Sequence, residues 1–286
     1  MSEPSWILTL TCDDRVGIVG AIAGFLASRD GFILDSQQYA DLETQRFFMR
    51  VVFKNGGRRF PPDTPSLTAA FEGVATLLQL DWTLTEADAR PRVVVAVSKG
   101  SHCLNDLLHR QQTRSLAVDI AAVVSNHESL RALTEWHGIA FYHFPVSDDR
   151  DGQERAIETV MAQAGAEYLV LARYMQVVSE DFSNRLAGRC INIHHSFLPG
   201  FKGAKPYHRA HARGVKLIGA TAHFVTGDLD EGPIIEQAVE RIDHRASVDE
   251  MIRIGRDIEA QVLARAVNAV GERRVFLNDG KTVVFR

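Results

Sequence analysis

A chain of 286 residues with 45% hydrophobic and 24% charged residues has an ordinary globular composition and room for two domains. Its formal charge of −4, without any Lys/Arg-rich block, gives nucleic-acid binding little electrostatic support. The three cysteines lie far apart, no apolar run is long enough to cross a bilayer, and Met1–Ser5 has no signal-peptide pattern, so a cytoplasmic protein without disulfides is expected.

The first 86 residues read as a βαββαβ domain. Trp6–Thr11 alternates apolar and polar side chains, as a half-buried strand does. Asp13 or Asp14 is placed to cap the helix that follows, with Val16, Val19, Ile22, Ala23 and Leu26 as its apolar stripe and Gly31 at its end. Phe32–Ala40 and Arg46–Phe53 form a hairpin around Asp41–Gln45. Beyond the Gly/Pro loop Asn55–Asp63, Thr64 is the expected cap and Pro65 the first helical residue. That second helix carries Leu67, Ala70, Phe71, Val74, Leu77 and Leu78 on one side, and Asp81–Glu86 is the closing strand. The order is the ferredoxin-like plan.

Ala87–Pro91 reads as a linker, and residues 92–286 as a second domain in which strands alternate with helices. Arg92–Val97 is almost continuously aliphatic, as a parallel strand covered on both faces should be. Asp119–Val124, Ile139–Phe144 and Glu167–Leu171 are further strands, separated by helices near His127–His137, Gln153–Ala164 and Ser179–Ala187. The turn Ser98–Leu104 opens a helix but holds only Gly100 and Ser101 as small residues, a poor match to a phosphate-cradling loop. Beyond Gln237, Val239 and Ile242 extend the last strand, Ser247 caps a long helix, and Arg274–Leu277 with Thr282–Phe285 form a last hairpin.

The chemistry concentrates between Cys190 and Gln237. Ile191 and Ile193 alternate with Asn192 and His194, so a strand here has one aliphatic face and an amide beside an imidazole on the other. The strand stops before Pro199, which puts both polar groups near its C-terminal end, where open parallel sheets bind ligands. The acidic turn Gly227–Gly232 follows the strand Lys216–Thr226 and can bring Asp230 to the same place. An amide donor, an imidazole and a carboxylate suit acyl transfer. A zinc site built from His194, His195, His223 and Asp230, or from His208 and His211, is the rival reading. Adjacent His194 and His195 would point to opposite faces of a continuing strand, so no metal is expected. A serine nucleophile at Ser196 lacks the usual strand–turn–helix elbow.

Asn192-Ile193-His194, Ser196-Phe197-Leu198-Pro199, His223-Phe224-Val225-Thr226 and Leu229-Asp230-Glu231-Gly232-Pro233 resemble the folate-dependent formyltransferase family. His195, with Phe201-Lys202-Gly203-Ala204, resembles its hydrolytic (deformylase) branch. The resemblance implies a Rossmann-like α/β formyltransferase domain with a mostly parallel sheet. It implies hydrolysis of 10-formyltetrahydrofolate to tetrahydrofolate and formate, with no cofactor; transfer to an amine such as glycinamide ribonucleotide is the alternative. It makes Asn192, His194 and Asp230 the catalytic residues. It places Met175, Gln176, Val178, His195, Ser196, Gly203, His223, Thr226 and Gly227 against the folate, and Lys202 and Lys205 are candidates for its glutamate tail. Formate made this way would feed purine synthesis and balance the one-carbon pool. In the first domain, the run Thr11–Val19 resembles an ACT domain, which implies an amino-acid effector held by Asp13, Arg15, Gly17 and Ile18 and a homo-oligomer.

Overall fold

In the computed structural model, which describes residues 3–200 and 206–286, the chain divides into two units: Met1–Ala89 with Glu272–Arg286, and Arg90–Gly271. The first unit runs β1 (Ser5–Asp13), α1 (Ile18–Ser28), β2 (Gly31–Asp41), β3 (Arg46–Asn55), α2 (Thr64–Leu78) and β4 (Asp81–Glu86). Its antiparallel sheet has the order β2-β3-β1-β4. Trp6, Leu8, Leu10 and Cys12, two residues apart along β1, face Ile22, Leu26, Leu67 and Phe71 in one core.

Two helix starts differ from the sequence reading. Gly17, not an aspartate, begins α1; its φ of 99° is a left-handed conformation that glycine adopts without a Cβ clash, and no side chain caps the helix. The buried stripe is therefore Ile18, Ile22, Phe25 and Leu26, while Val16 and Val19 are exposed. In α2 the cap is Asp63, whose carboxylate accepts from the Ser66 amide at 2.8 Å, one residue before the expected Thr64.

The last hairpin, β12 (Val275–Asn278) and β13 (Lys281–Val284), belongs to the first unit and not to the second domain. Phe276 meets Phe48 edge-on with ring centroids 5.8 Å apart, and the Asn278 amide donates to Asp41 at 2.6 Å. The reason lies in β3, where Phe47, Phe48, Met49, Arg50 and Val51 are all buried. A strand buried on both faces needs a second cover, and the hairpin supplies it.

The second unit holds β5 (Arg92–Val97), α3 (His102–Gln112), β6 (Asp119–Ser125), a 3-10 turn (Glu128–Leu130) running into α4 (Arg131–Trp136), and β7 (Ala140–His143). There follow α5 (Arg150–Ala164), β8 (Tyr168–Leu171), α6 (Glu180–Arg185), β9 (Cys190–His194), α7 (Pro206–Arg213), β10 (Leu217–Phe224), β11 (Ile234–Arg241) and α8 (Val248–Gly271). The seven-stranded sheet has the order β11-β10-β9-β8-β5-β6-β7. Strands from β9 to β7 are parallel, and β10 and β11 extend the sheet antiparallel. This is a mixed α/β domain with a mostly parallel sheet. Among the described residues no helix is long and apolar enough to cross a membrane.

Candidate active site

The register between β9 and β10 builds the centre of the site. Asn192 pairs with His223 and Thr221 with His194, so the Asn192 and His223 side chains share a face. The Phe224 carbonyl accepts from Nδ1 of His223 at 2.8 Å. Nε2 of His223 therefore carries a lone pair and accepts from the Asn192 amide nitrogen, 3.2 Å away. Burial, above all, pushes the His223 pKa down, which favours this neutral ring. The amide of Asn192 is thus fixed with its nitrogen inward.

The turn after β10 returns Asp230 to His194, with Oδ1 of the carboxylate 3.1 Å from Nδ1 of the ring. Asp230 has a φ of 58°, a left-handed conformation that aspartate tolerates better than most residues. Burial opposes its ionisation, but the hydrogen bond and charge of His194 hold the carboxyl below its ordinary range. Nε2 of His194 is buried and finds no hydrogen-bond partner among the described residues. A buried polar atom of this kind in a cavity wall is a natural place for a substrate oxygen.

Gly232 fixes the return path. A Cβ there would lie 1.7 Å from the Phe224 carbonyl oxygen, the atom that holds His223. Gly232→Ala is expected to destabilise the fold by on the order of 3 kcal/mol, read as a lower urea midpoint. A midpoint unchanged from wild type would show that the turn has room to move.

A cavity of about 270 Å³ collects these groups: Asn192, His194, His223 and Asp230 line it. Met175, Gln176, Val178, His195, Thr226 and Gly227 line it too, so the structure brings most of the expected folate residues together. The loop after β8 is fastened at both ends: the Met175 amide donates to Ser98 Oγ at 2.9 Å, and the Ser179 amide to the buried Glu154 carboxylate at 2.6 Å. Its backbone forms a fixed wall.

Two expectations change. Ser196 does not line the cavity; its hydroxyl donates to the Gly200 carbonyl at 2.7 Å, and its own carbonyl accepts from buried Thr221 at 2.9 Å. It shapes the loop and has no contact with His194 of the kind a nucleophile needs. His194 and His195 do not point to opposite faces: the strand ends at His194, and the two rings stack with centroids 4.9 Å apart. The expected contacts of Gly203, Lys202 and Lys205 lie outside the described residues.

Sequence reasoning missed Arg173, Leu229 and Asp228 in the cavity wall and a buried cluster around Glu259 on α8. A signal was present: Glu259 sits on the helical stripe of Gly255, Val262 and Ala266, where an apolar residue belongs. Among the described residues, His102, Cys103 and Glu259 alone group as metal ligands might. Both Glu259 oxygens already have partners, Tyr207 at 2.9 Å on one and His102 at 2.9 Å with Arg173 at 3.3 Å on the other. A guanidinium at that distance opposes a second cation. His208 and His211, the helical pair, lie exposed on α7.

In the first unit, Asp13 is exposed and pairs with Arg46 at 2.9 Å, and the Arg15 guanidinium donates to the Leu78 carbonyl. Ile18 is buried in the core, so it offers a ligand only its backbone. Gly17 is explained by its φ alone, without the need to clear space for a small molecule.

Residues 91–267 match the Formyl transferase family. A formyltetrahydrofolate deformylase from Corynebacterium sp. (strain P-1) is 46% identical over 281 residues, which cover 98% of each chain. The crystal structure of a formyltetrahydrofolate deformylase from Pseudomonas syringae pv. tomato superposes with a TM-score of 0.95 at 45% identity, over 100% of this chain and 96% of that one. A glycinamide ribonucleotide transformylase from Symbiobacterium toebii matches at 26% identity and a TM-score of 0.64, over 69% of this chain and 95% of its own. The likeness to the hydrolytic relatives thus runs through both units, and the chain belongs to the formyl transferase family, in the branch of the formyltetrahydrofolate deformylases.

Proposed function

We propose that the chain hydrolyses 10-formyltetrahydrofolate to tetrahydrofolate and formate, with Asn192, His194 and Asp230 as catalytic residues. The observation that carries the roles is the convergence in one cavity of an ionised carboxylate, the imidazole it touches and an amide whose orientation is fixed. Water attacks the formyl carbon and passes a proton to Asp230. The carbonyl oxygen becomes an oxyanion, held by the Asn192 amide N–H and by the Nε2–H of protonated His194, the atom without another partner. The proton then goes to the folate nitrogen, its bond to the formyl carbon breaks, and formic acid leaves, giving up its remaining proton to solvent as formate. No cofactor takes part, since each step uses these side chains and water.

The folate lies against the Met175–Val178 wall, His223, Thr226 and Gly227. The product formate feeds purine synthesis and the reaction balances the one-carbon pool. The βαββαβ unit acts as an ACT-type regulatory domain of a homo-oligomer; its strand order supports this reading. Three buried, unpaired cysteines agree with a cytoplasmic enzyme.

Formate release from 10-formyltetrahydrofolate, measured with and without glycinamide ribonucleotide, tests the reading. Release without the amine is the expected result. Formyl transfer that requires the amine would overturn it.

A further inference from the structure

His195 lines the same cavity as the catalytic groups, and its ring nitrogens are not equivalent. Arg173 Nη1 donates to Nδ1 of His195. A guanidinium has hydrogens to give and no lone pair to offer, so Nδ1 must be the acceptor. The hydrogen of the neutral ring then sits on Nε2. Burial, and next the Arg173 charge, push the His195 pKa down to about 4, so the ring is neutral at pH 7.

Arg173 is itself held. Its backbone is left-handed, with a φ of 65°, a conformation that is strained for a non-glycine residue and needs support from its surroundings. Its Nε lies 3.3 Å from Oε2 of Glu259, a carboxylate almost wholly buried in α8. Glu259 is steadied by Tyr207 on Oε1 and His102 on Oε2, each at 2.9 Å. Burial alone would raise its pKa; the His102 hydrogen bond, the Arg173 charge and the Tyr207 hydroxyl together lower it, so it stays ionised. The chain Glu259–Arg173–His195 runs from the long helix to the cavity and ends on a ring stacked against His194.

We propose that Arg173 and Glu259 are positioning residues that lock His195 as an Nε2–H donor, and that this donor holds the attacking water beside Asp230. A water so held accepts from His195, donates to Asp230 and keeps a lone pair for the formyl carbon. The inference rests on the deformylase reading above. It assigns a task to His195, next to His194 in the chain, and to a buried carboxylate the catalytic step does not touch.

The test uses the full-length protein with 15N-labelled histidine. Long-range proton–nitrogen correlation spectra report which ring nitrogen carries hydrogen, and loss of one spin system in His195→Gln assigns the ring. The expected spectrum has hydrogen on Nε2 of His195 between pH 6 and 8. In Arg173→Met and Glu259→Gln the single tautomer should be lost, with kcat at least tenfold lower and KM within threefold. A glutamine amide places its N–H near the Nε2 position and an asparagine amide near Nδ1. His195→Gln should therefore keep at least fivefold more kcat than His195→Asn. Hydrogen on Nδ1 in the wild type, or a smaller Gln-to-Asn ratio, overturns the proposal even if the Arg173 and Glu259 variants fail to fold. Absence of wild-type formate release would overturn the deformylase reading instead, and the spectrum would still report the tautomer.

Discussion

Asp230→Asn is expected to release formate about a hundredfold to ten-thousandfold more slowly than wild type while remaining folded, because it removes a proton acceptor and little else. Asparagine is the right probe for two reasons. It is among the few residues that accept the left-handed backbone found at position 230, so the turn should survive. It also keeps an oxygen that can accept from Nδ1 of His194, the contact now made at 3.1 Å. The loss should appear in kcat with KM nearly unchanged, since the Met175–Val178 wall, against which we propose the folate lies, is left as it is. Steady-state formate assays check this. Activity within tenfold of wild type would remove Asp230 from the mechanism.

His194→Ala should lower kcat by roughly a hundredfold to a thousandfold, the usual effect of losing one oxyanion donor. It should also move the acid limb of the pH profile. In the proposed mechanism the ionised Asp230 is the active form, so activity is present above its pKa and lost as pH falls through it. His194 contributes the leading stabilisation of that carboxylate, against a burial that opposes ionisation. Without the imidazole, burial prevails and the pKa rises, so the limb must shift to higher pH. Residual kcat/KM followed from pH 3 to 8 reads the shift. A limb that stays in place would mean that another group sets the ionisation of Asp230.

Much of this site was legible from residue order because its parts are close in sequence or separated by one strand. Asn192 and His194 declare themselves by period two on a strand whose other face is isoleucine. Asp230 follows from the turn after the next strand. The stacking of His194 on His195 was not legible, since it depends on the strand ending at His194 and not one residue later. The hydrogen-bond state of His223 needed the Phe224 carbonyl, whose direction is a matter of backbone geometry. Arg173 and Glu259 lie 86 positions apart in the chain, and no local pattern joins them. In the first unit the strands and helices were readable from periodicity, but the left-handed start at Gly17 moved the helix phase and exposed Val16. The buried run Phe47–Val51 did carry a message, that both faces of β3 are covered, without naming the cover.

That cover has a consequence for synthesis. The first unit is closed by the hairpin of residues 272–286, so a part of the chain made earlier is completed by one made later. Until Phe276 arrives, the outer side of β3 around Phe48 has no lid, while the intervening unit already has all of its strands. The unit begun first thus gains its last cover only after the second has been made, and Phe48 stays without its aromatic neighbour through that interval.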